Sequence, residues 1–318
     1  MFQGSETRTA ALFPGQGSQE RGMGRDVAEQ FPEAMELWKR AERIAGLPLR
    51  EIYWDGDAQA MAETGSLQPA LLVTGYTLWT CAAAWMSPSF FAGHSVGEYT
   101  ALAAARVLDI QEAIELISLR GRLMSEAGQD QSGKMAAILK LGQSDVEEIV
   151  SQACEESAQE LCIANFNSPG QLVISGSEEA LECALALCRE KRGRGVRLPV
   201  SGAFHSGLMD EASRELARVM DRYQWRDAAV PVHLNVTAQP EDRAEQILAT
   251  MKLQMRSPVL WTQLVEDQYE KGVQTWLEFG PKGVLTKLVK HILNDANRQW
   301  QAEPVDSLEA IAQLPNRA

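Results

Sequence analysis

FAGHSVGEYTAL, Phe91 to Leu102, sets a serine between two glycines, with an apolar run before it and an alanine-rich run after it. Gly93-His94-Ser95-Val96-Gly97 fits Gly-x-Ser-x-Gly in the context that pattern needs, a strand leading in and a helix leading out. The glycines permit a tight turn that lifts the Ser95 hydroxyl out of a sheet. The helix N-terminus behind it offers unpaired amide N–H groups that can hold an oxyanion. The plainer alternative is a strand–turn–helix whose serine only caps the helix.

The segments on either side decide what sheet the serine stands on. From Lys134 the pattern runs KMAAILKL (strand), SDVEEIVSQACEE (helix, capped by Ser144 or Asp145), then ELCIANFN and QLVISGS (strands joined by Asn167-Ser168-Pro169-Gly170). EEALECALALCREKRG follows as a helix stopped near Gly193, and GVRLPVS as a strand. This β-α-β-β-α-β order is the ferredoxin-like pattern. The flanks alternate strand and helix: ALFP, several helices and FFAG before it, then LMDEASRELARVMDRY, VPVHLNV, VQTWLEFG and VLTKLVKHIL after it. Such alternation predicts a mainly parallel sheet covered on both faces. The expected fold is therefore α/β: a large α/β-hydrolase-like lobe (1–132 and 201–318) with a small ferredoxin-like lobe (133–200) inserted. Ligands are expected in the cleft between them.

At 318 residues the chain can bury a large core, and 45% hydrophobic with 23% charged residues is the balance of a soluble globular protein. A formal charge of -13 and a pI near 4.9 argue against nucleic acid as a partner. Five cysteines with no CxxC read as reduced thiols in a cytoplasmic protein. ALLVTGYTLWTCAAAWM, Ala70 to Met86, is short for a membrane span and reads as a buried helix. No segment has metal-ligand spacing, and Gly15-Gln16-Gly17 lacks the third glycine of a dinucleotide fingerprint.

A serine nucleophile needs a base, and the chain has four histidines. His94 neighbours Ser95 on a sharp turn, so its side chain should diverge. His233 lies in a predicted strand and His291 on a late helix. His205, in SGAFHSGLM, sits where the small lobe returns the chain to the large one, at the edge of the expected cleft. On position it is the candidate base, with a satisfied core histidine as the alternative.

In QEAIELISLRGRLMSEAG, helical spacing puts Ala113, Leu116, Ile117, Leu123, Met124 and Ala127 on the same face as Arg120. Glu115, Ser118, Arg122 and Glu126 fall opposite. Arg120 is thus a guanidinium on an apolar face, and a buried cation without a partner is very costly. It is expected to meet a carboxylate, supplied either by the protein or by a ligand.

FPGQGSQ (Phe13–Gln19), QPALL (Gln68–Leu72), GHSVGEY, RGRLM (Arg120–Met124), NFNSPGQLVISG (Asn165–Gly176), GAFHS (Gly202–Ser206) and SPVLW (Ser257–Trp261) occur in that order. Together they resemble the malonyl-CoA:acyl carrier protein transacylases and polyketide synthase acyltransferases over nearly the whole chain. The resemblance implies a Ser95–His205 dyad, an oxyanion hole of the Gln16 and Val96 backbone N–H groups, and Gln254 or a backbone carbonyl orienting the histidine. It implies Arg120 as the ligand of a malonyl carboxylate, Phe204 crowding an α-methyl branch, and Gln68 and Asn165 within substrate reach. The donor is then malonyl-CoA, a coenzyme A thioester, and the acceptor is the phosphopantetheine thiol of an acyl carrier protein, with no bound cofactor or metal. Gly280-Pro281-Lys282-Gly283 departs from a family Gly-Pro-Gly, and the phenylalanine of GAFHS tilts the pathway toward polyketide or hybrid synthesis.

The expected protein is a freestanding monomer acting in trans, with neither nucleic acid nor membrane as partner. Carrier proteins are acidic, so docking asks for a local basic patch. Arg189, Lys191, Arg192, Arg194 and Arg197 cluster at the end of the small lobe's second helix, either as that patch or as a solvated helix C-terminus. Three rival chemistries stay open at this stage: hydrolysis of wrongly loaded carriers, a different extender unit, and transfer between two carriers.

Overall fold

In a computed structural model, residues 8–130, 133–294 and 298–314 are described. The larger sheet is built from β1 (Arg8–Phe13), β2 (Phe90–Gly93), β7 (Val232–His233), β8 (Pro240–Glu241), β9 (Val273–Phe279) and β10 (Gln301–Val305), in the order β10-β9-β1-β2-β7-β8. Every pairing is parallel except β7 with β8. The smaller sheet, from β3 (Gly133–Leu139), β4 (Leu161–Ser168), β5 (Gln171–Ser177) and β6 (Arg194–Arg197), is antiparallel in the order β4-β5-β3-β6. The helices Gln143–Ser157 and Glu178–Glu190 complete its β-α-β-β-α-β unit and share a separate apolar core with it. This is the α/β two-lobe fold expected. The expected junction at 132/133 adjoins residues 131 and 132, which lie outside the described residues.

The central strands are apolar throughout because both faces are covered. Ala10, Ala11, Leu12 and Phe13 of β1 are all buried, the even-numbered ones in one core and the odd-numbered ones in the other. The Ala70–Met86 run lies largely in a helix, Thr64–Ala82, with most of its side chains buried. No helix of the described residues is long and apolar enough to cross a membrane.

Three local expectations are corrected, and one loop is clarified. The helix Gln143–Ser157 starts after Gly142 with no side-chain cap, so neither Ser144 nor Asp145 caps it. VPVHLNV contributes only the two strand residues of β7, since the chain turns at Leu234–Ala238 to form β8. β8 and β10 have no counterpart in the expected pattern. Finally, Lys282 takes the left-handed conformation (φ 66°), where a β-carbon is disfavoured, in the Gly280–Gly283 turn.

Backbone and side-chain hydrogen bonds tie the lobes together. Around Asn165, β4 pairs with the segment before Trp261: Phe166 N–H donates to the Val259 carbonyl (2.9 Å) and Val259 N–H to the Ala164 carbonyl (2.8 Å). His94 Nε2 meets Asn167 Oδ1 at 2.8 Å. Both join the small sheet to the end of β2 and its surroundings, where the serine stands.

Candidate active site

β1 and β2 are parallel neighbours, with Phe13 opposite Gly93, so the loops leaving their carboxyl ends lie side by side. In open α/β sheets this is where ligands bind. Gln16 follows β1 and Ser95 follows β2, ahead of the helix Gly97–Ala104. The glycines are required by close approach: a β-carbon on Gly93 would collide with the Gly97 carbonyl, and one on Gly97 with the Phe13 carbonyl. Ser95 itself is left-handed (φ 51°), and so is His205 (φ 59°). Backbone of this kind costs of order 1–3 kcal/mol per residue and persists only where surroundings impose it.

Those surroundings are visible around the serine. Asn235 Oδ1 accepts from Ser95 N–H (2.7 Å) while Asn235 Nδ2 donates to the Gly93 carbonyl (2.7 Å). Gln254 Nε2 donates to the Ser95 carbonyl (2.8 Å). Glu98, fully buried, accepts from Asn235 N–H (2.8 Å) and from Gln254 Nε2 (2.9 Å). Burial pushes its carboxyl up to about 7, against the pull of those two donors and of Arg120.

His205 Nε2 lies 2.8 Å from Ser95 Oγ. Its Nδ1 faces two carbonyls, Gln254 O (3.1 Å) and Ser257 O (3.0 Å). Carbonyls only accept, so Nδ1 carries the hydrogen and Nε2 presents its lone pair to the serine hydroxyl. Burial, the nearby Arg120 charge and His94 pull the imidazole down to about 3, which keeps it neutral at physiological pH. His94 turns away from the serine to Asn167, and His233 is held in the large lobe's core by Asp267. Gln254 meets the histidine with its main chain, and its side chain goes to Ser95, Glu98 and Arg120.

Arg120 is buried, as its helix face implied, among Ala113, Leu116, Ile117 and Met124, whereas Arg122 is exposed and pairs with Glu126. The guanidinium reaches Gln68 Oε1 (2.7 Å), Gln254 Oε1 (3.0 and 3.2 Å) and Ser95 Oγ (3.1 Å), and lies over the Tyr99 ring. Among the described residues no carboxylate comes within ion-pair distance of it. Of the two sources left open by the sequence, a protein carboxylate is absent among the described residues, and a ligand carboxylate is left standing. Polar oxygens orient the cation, but none neutralises it.

A narrow cleft of about 90 Å³ opens onto these groups. Arg120, Ser95 and His205 line it from the large lobe together with Gln16, Gln68, Val96 and Phe204; Asn165, Met135, Leu198 and Val200 line it from the small one. Among the described residues, neither the Gln16 nor the Val96 amide N–H has an acceptor, so both are free to donate. No group of three or more His, Cys, Asp or Glu side chains among them could hold a metal ion.

Sequence reasoning missed two of the residues around the serine. Asn235 sits 140 residues from Ser95 and carries no local signal. Glu98 could have been flagged, as the one charged residue in the otherwise apolar helix GEYTALAA.

Fold and site together define a class, the enzymes that carry an acyl group on a serine raised between a strand and a helix. The chain belongs to the acyl transferase domain family, whose model matches residues 11–314. It is 39% identical over 290 residues to the malonyl CoA-acyl carrier protein transacylase of Haemophilus influenzae, covering 90% of this chain and 92% of that one. The protein of the same name from Bacillus subtilis is 38% identical over 307 residues, 96% and 95% of the two chains. Among solved structures, an acyl carrier protein S-malonyltransferase from Vibrio cholerae superposes with a TM-score of 0.90 at 35% identity, over 97% of this chain and 100% of that one. A malonyl-transacylase in complex with a type II polyketide synthase acyl carrier protein superposes at 0.92 with 35% identity, over 98% and 100%.

Proposed function

We propose that this enzyme moves a malonyl group from malonyl-CoA, through an ester on Ser95, to the phosphopantetheine thiol of an acyl carrier protein, in the cytoplasm. His205 Nε2 takes the Ser95 proton as Oγ attacks the thioester carbonyl, and the new oxyanion accepts from the Gln16 and Val96 N–H groups. The C–S bond then breaks, the imidazolium returns its proton to the leaving sulfur, and malonyl remains on Ser95. The carrier's thiol attacks that ester by the same steps in reverse. Phe204, Gln68 and Asn165 shape the acyl pocket, and Gln254 orients the histidine through its carbonyl. Residues 133–200 act as a separate lobe that closes the far wall of the cleft.

One observation carries the choice of acyl group: a buried guanidinium with no ion-pair partner among the described residues, 3.1 Å from the Ser95 hydroxyl. A planar fork in that position suits the free carboxylate of a malonyl thioester. A site built around such a group rejects an analogue that lacks it by about 10⁴-fold or more. The test is the intact mass of the protein after exposure to malonyl-, methylmalonyl- and acetyl-CoA. Wild type should gain one malonyl mass and pass it to a holo carrier protein, and Arg120→Ala should lose malonyl loading by at least about 10²-fold while its preference over acetyl disappears. Release of free acid in place of transfer would make it a hydrolase.

A further inference from the structure

The network behind Arg120 raises a question that the transfer reaction does not answer. A cation buried this deeply ordinarily acquires a carboxylate from its own chain. The chain does supply a fully buried carboxylate close by, Glu98, yet it makes no ion pair with Arg120. Between them stands the side-chain amide of Gln254, with Nε2 on Glu98 (2.9 Å) and Oε1 on the guanidinium (3.0 and 3.2 Å).

We propose that Glu98 is a positioning residue for acyl-group specificity: it locks the Gln254 amide so that its oxygen holds the Arg120 guanidinium, leaving the cation's first direct carboxylate partner to be the substrate's. This rests on the transferase reading above. The logic is one of donors and acceptors. A carboxylate facing an amide tolerates only its N–H side, so Glu98 dictates which way the amide points. A neutral or apolar residue at position 98 would leave the Ser95 carbonyl (2.8 Å) as the one remaining acceptor on the N–H side, and so weaken the preference that keeps the amide oxygen on the cation. The other Glu98 oxygen is fixed by Asn235 N–H, whose side chain clamps the turn at Ser95, so the carboxylate cannot swing across to Arg120 itself. The carboxyl nearest the cation is thus held one amide away from it.

The sharpest probe is Glu98→Gln, which keeps size and shape. The amide oxygen introduced at position 98 must stay on Asn235 N–H, so its N–H₂ confronts Gln254 Nε2, donor against donor. Gln254 then turns over and withdraws its oxygen from Arg120. KM for malonyl-CoA should rise about tenfold with a smaller change in kcat. Acetyl-CoA, which has no carboxylate to place, should lose much less, so the malonyl-to-acetyl ratio of kcat/KM falls about tenfold. In a Gln254→Met background the same substitution should have no further effect on the ratio, because the amide through which Glu98 acts is gone.

An unchanged ratio in Glu98→Gln, an equal loss for both thioesters, or effects that multiply in the double variant would each overturn the proposal. Should Glu98→Gln fail to fold, Gln254→Met alone decides: the ratio falls if the amide positions Arg120 and stays put if it does not. Failure of wild type to form a malonyl ester would instead remove the transferase reading, and a wild-type ratio in Arg120→Ala would remove its choice of a malonyl group.

Discussion

Two buried histidines sit in the large lobe, and burial holds both below the ordinary imidazole range, His205 at about 3 and His233 at about 4. Their partners separate them. His233 Nε2 is 2.8 Å from the Asp267 carboxylate and its Nδ1 is 3.5 Å from Gln268 Nε2, so every polar atom is used up inside the core. His205 spends only Nδ1 on the protein and turns Nε2 onto a hydroxyl at the wall of a cleft. It also stands on left-handed backbone opposite a left-handed serine, while His233 is an ordinary strand residue. A displaced pKa and burial are common to both, so neither identifies a site. What identifies it is a nitrogen left over, imposed strain and access from solvent.

The largest effects should come from exchanging the fates of these two residues. His205→Ala should slow formation of the malonyl ester by about 10²–10⁴-fold, the usual worth of a general base. It should leave the melting temperature near that of wild type. His233→Ala should do the opposite, lowering stability by about 2–4 kcal/mol as a cavity opens and core hydrogen bonds are lost. At a temperature where it stays folded, its acylation rate per molecule should match wild type. Single-turnover acylation followed by intact mass, beside thermal melts, reads both. If His233→Ala abolishes acylation in a folded protein, the distinction drawn here fails.

Acid sharpens the same comparison. An unfolded histidine binds its proton near 6.5, whereas folded His233 refuses it until about pH 4 and His205 until about pH 3. Between those limits the unfolded chain holds more protons, so the stability tied to neutral histidines is complete above pH 6.5 and drains away as the pH falls toward 4 and 3. His233→Ala should flatten the His233 share of that slope in denaturant titrations between pH 7 and 4. Activity should behave differently, because kcat/KM reports the free enzyme. With a small neutral ester as acyl donor, acylation of Ser95 should stay level from pH 7.5 to 5.5 while the protein remains folded. An ordinary imidazole base would lose about tenfold by pH 5.5, and such a fall would show that His205 is not held neutral.

The two histidines also show how much a sequence displays. His205 is recognisable because it lies in a motif where one lobe returns to the other, and Ser95 because two glycines bracket it in a strand–helix context. The small lobe is legible because its strands and helices are regular and local. Arg120 can be placed on the dry face of its helix by spacing alone. What meets it there cannot be found this way, since Gln68 and Gln254 lie 52 and 134 residues distant and no periodicity links them. The core fate of His233 depends likewise on Asp267, 34 residues on in a different element. β8 is two residues long, too short to alternate, and its existence follows from the turn after β7.

The smallest effect should appear at the end of the helix Glu178–Glu190 and the start of β6, away from either histidine. Of the basic residues beside β6, Lys191 pairs with Glu148 and Asp145, Arg197 with Glu178 and Glu182, and Arg189 caps a carbonyl of its own helix. Arg192 and Arg194 are exposed and make no ion pair among the described residues. β6 leads directly into Leu198 and Val200, which line the cleft. Two exposed cations, on a chain of net charge -13, suit an acidic carrier that must bring its thiol to Ser95. Rim charges act mainly on encounter, so Arg192→Glu with Arg194→Glu should slow transfer to the carrier about three- to tenfold at low salt. The deficit should shrink as ionic strength rises, because such attraction is screened beyond about 10 Å at 0.1 M salt. Loading from malonyl-CoA should change far less, since neither arginine lines the acyl pocket. An unchanged carrier rate at low salt would mean that these two arginines are only the solvated end of a helix.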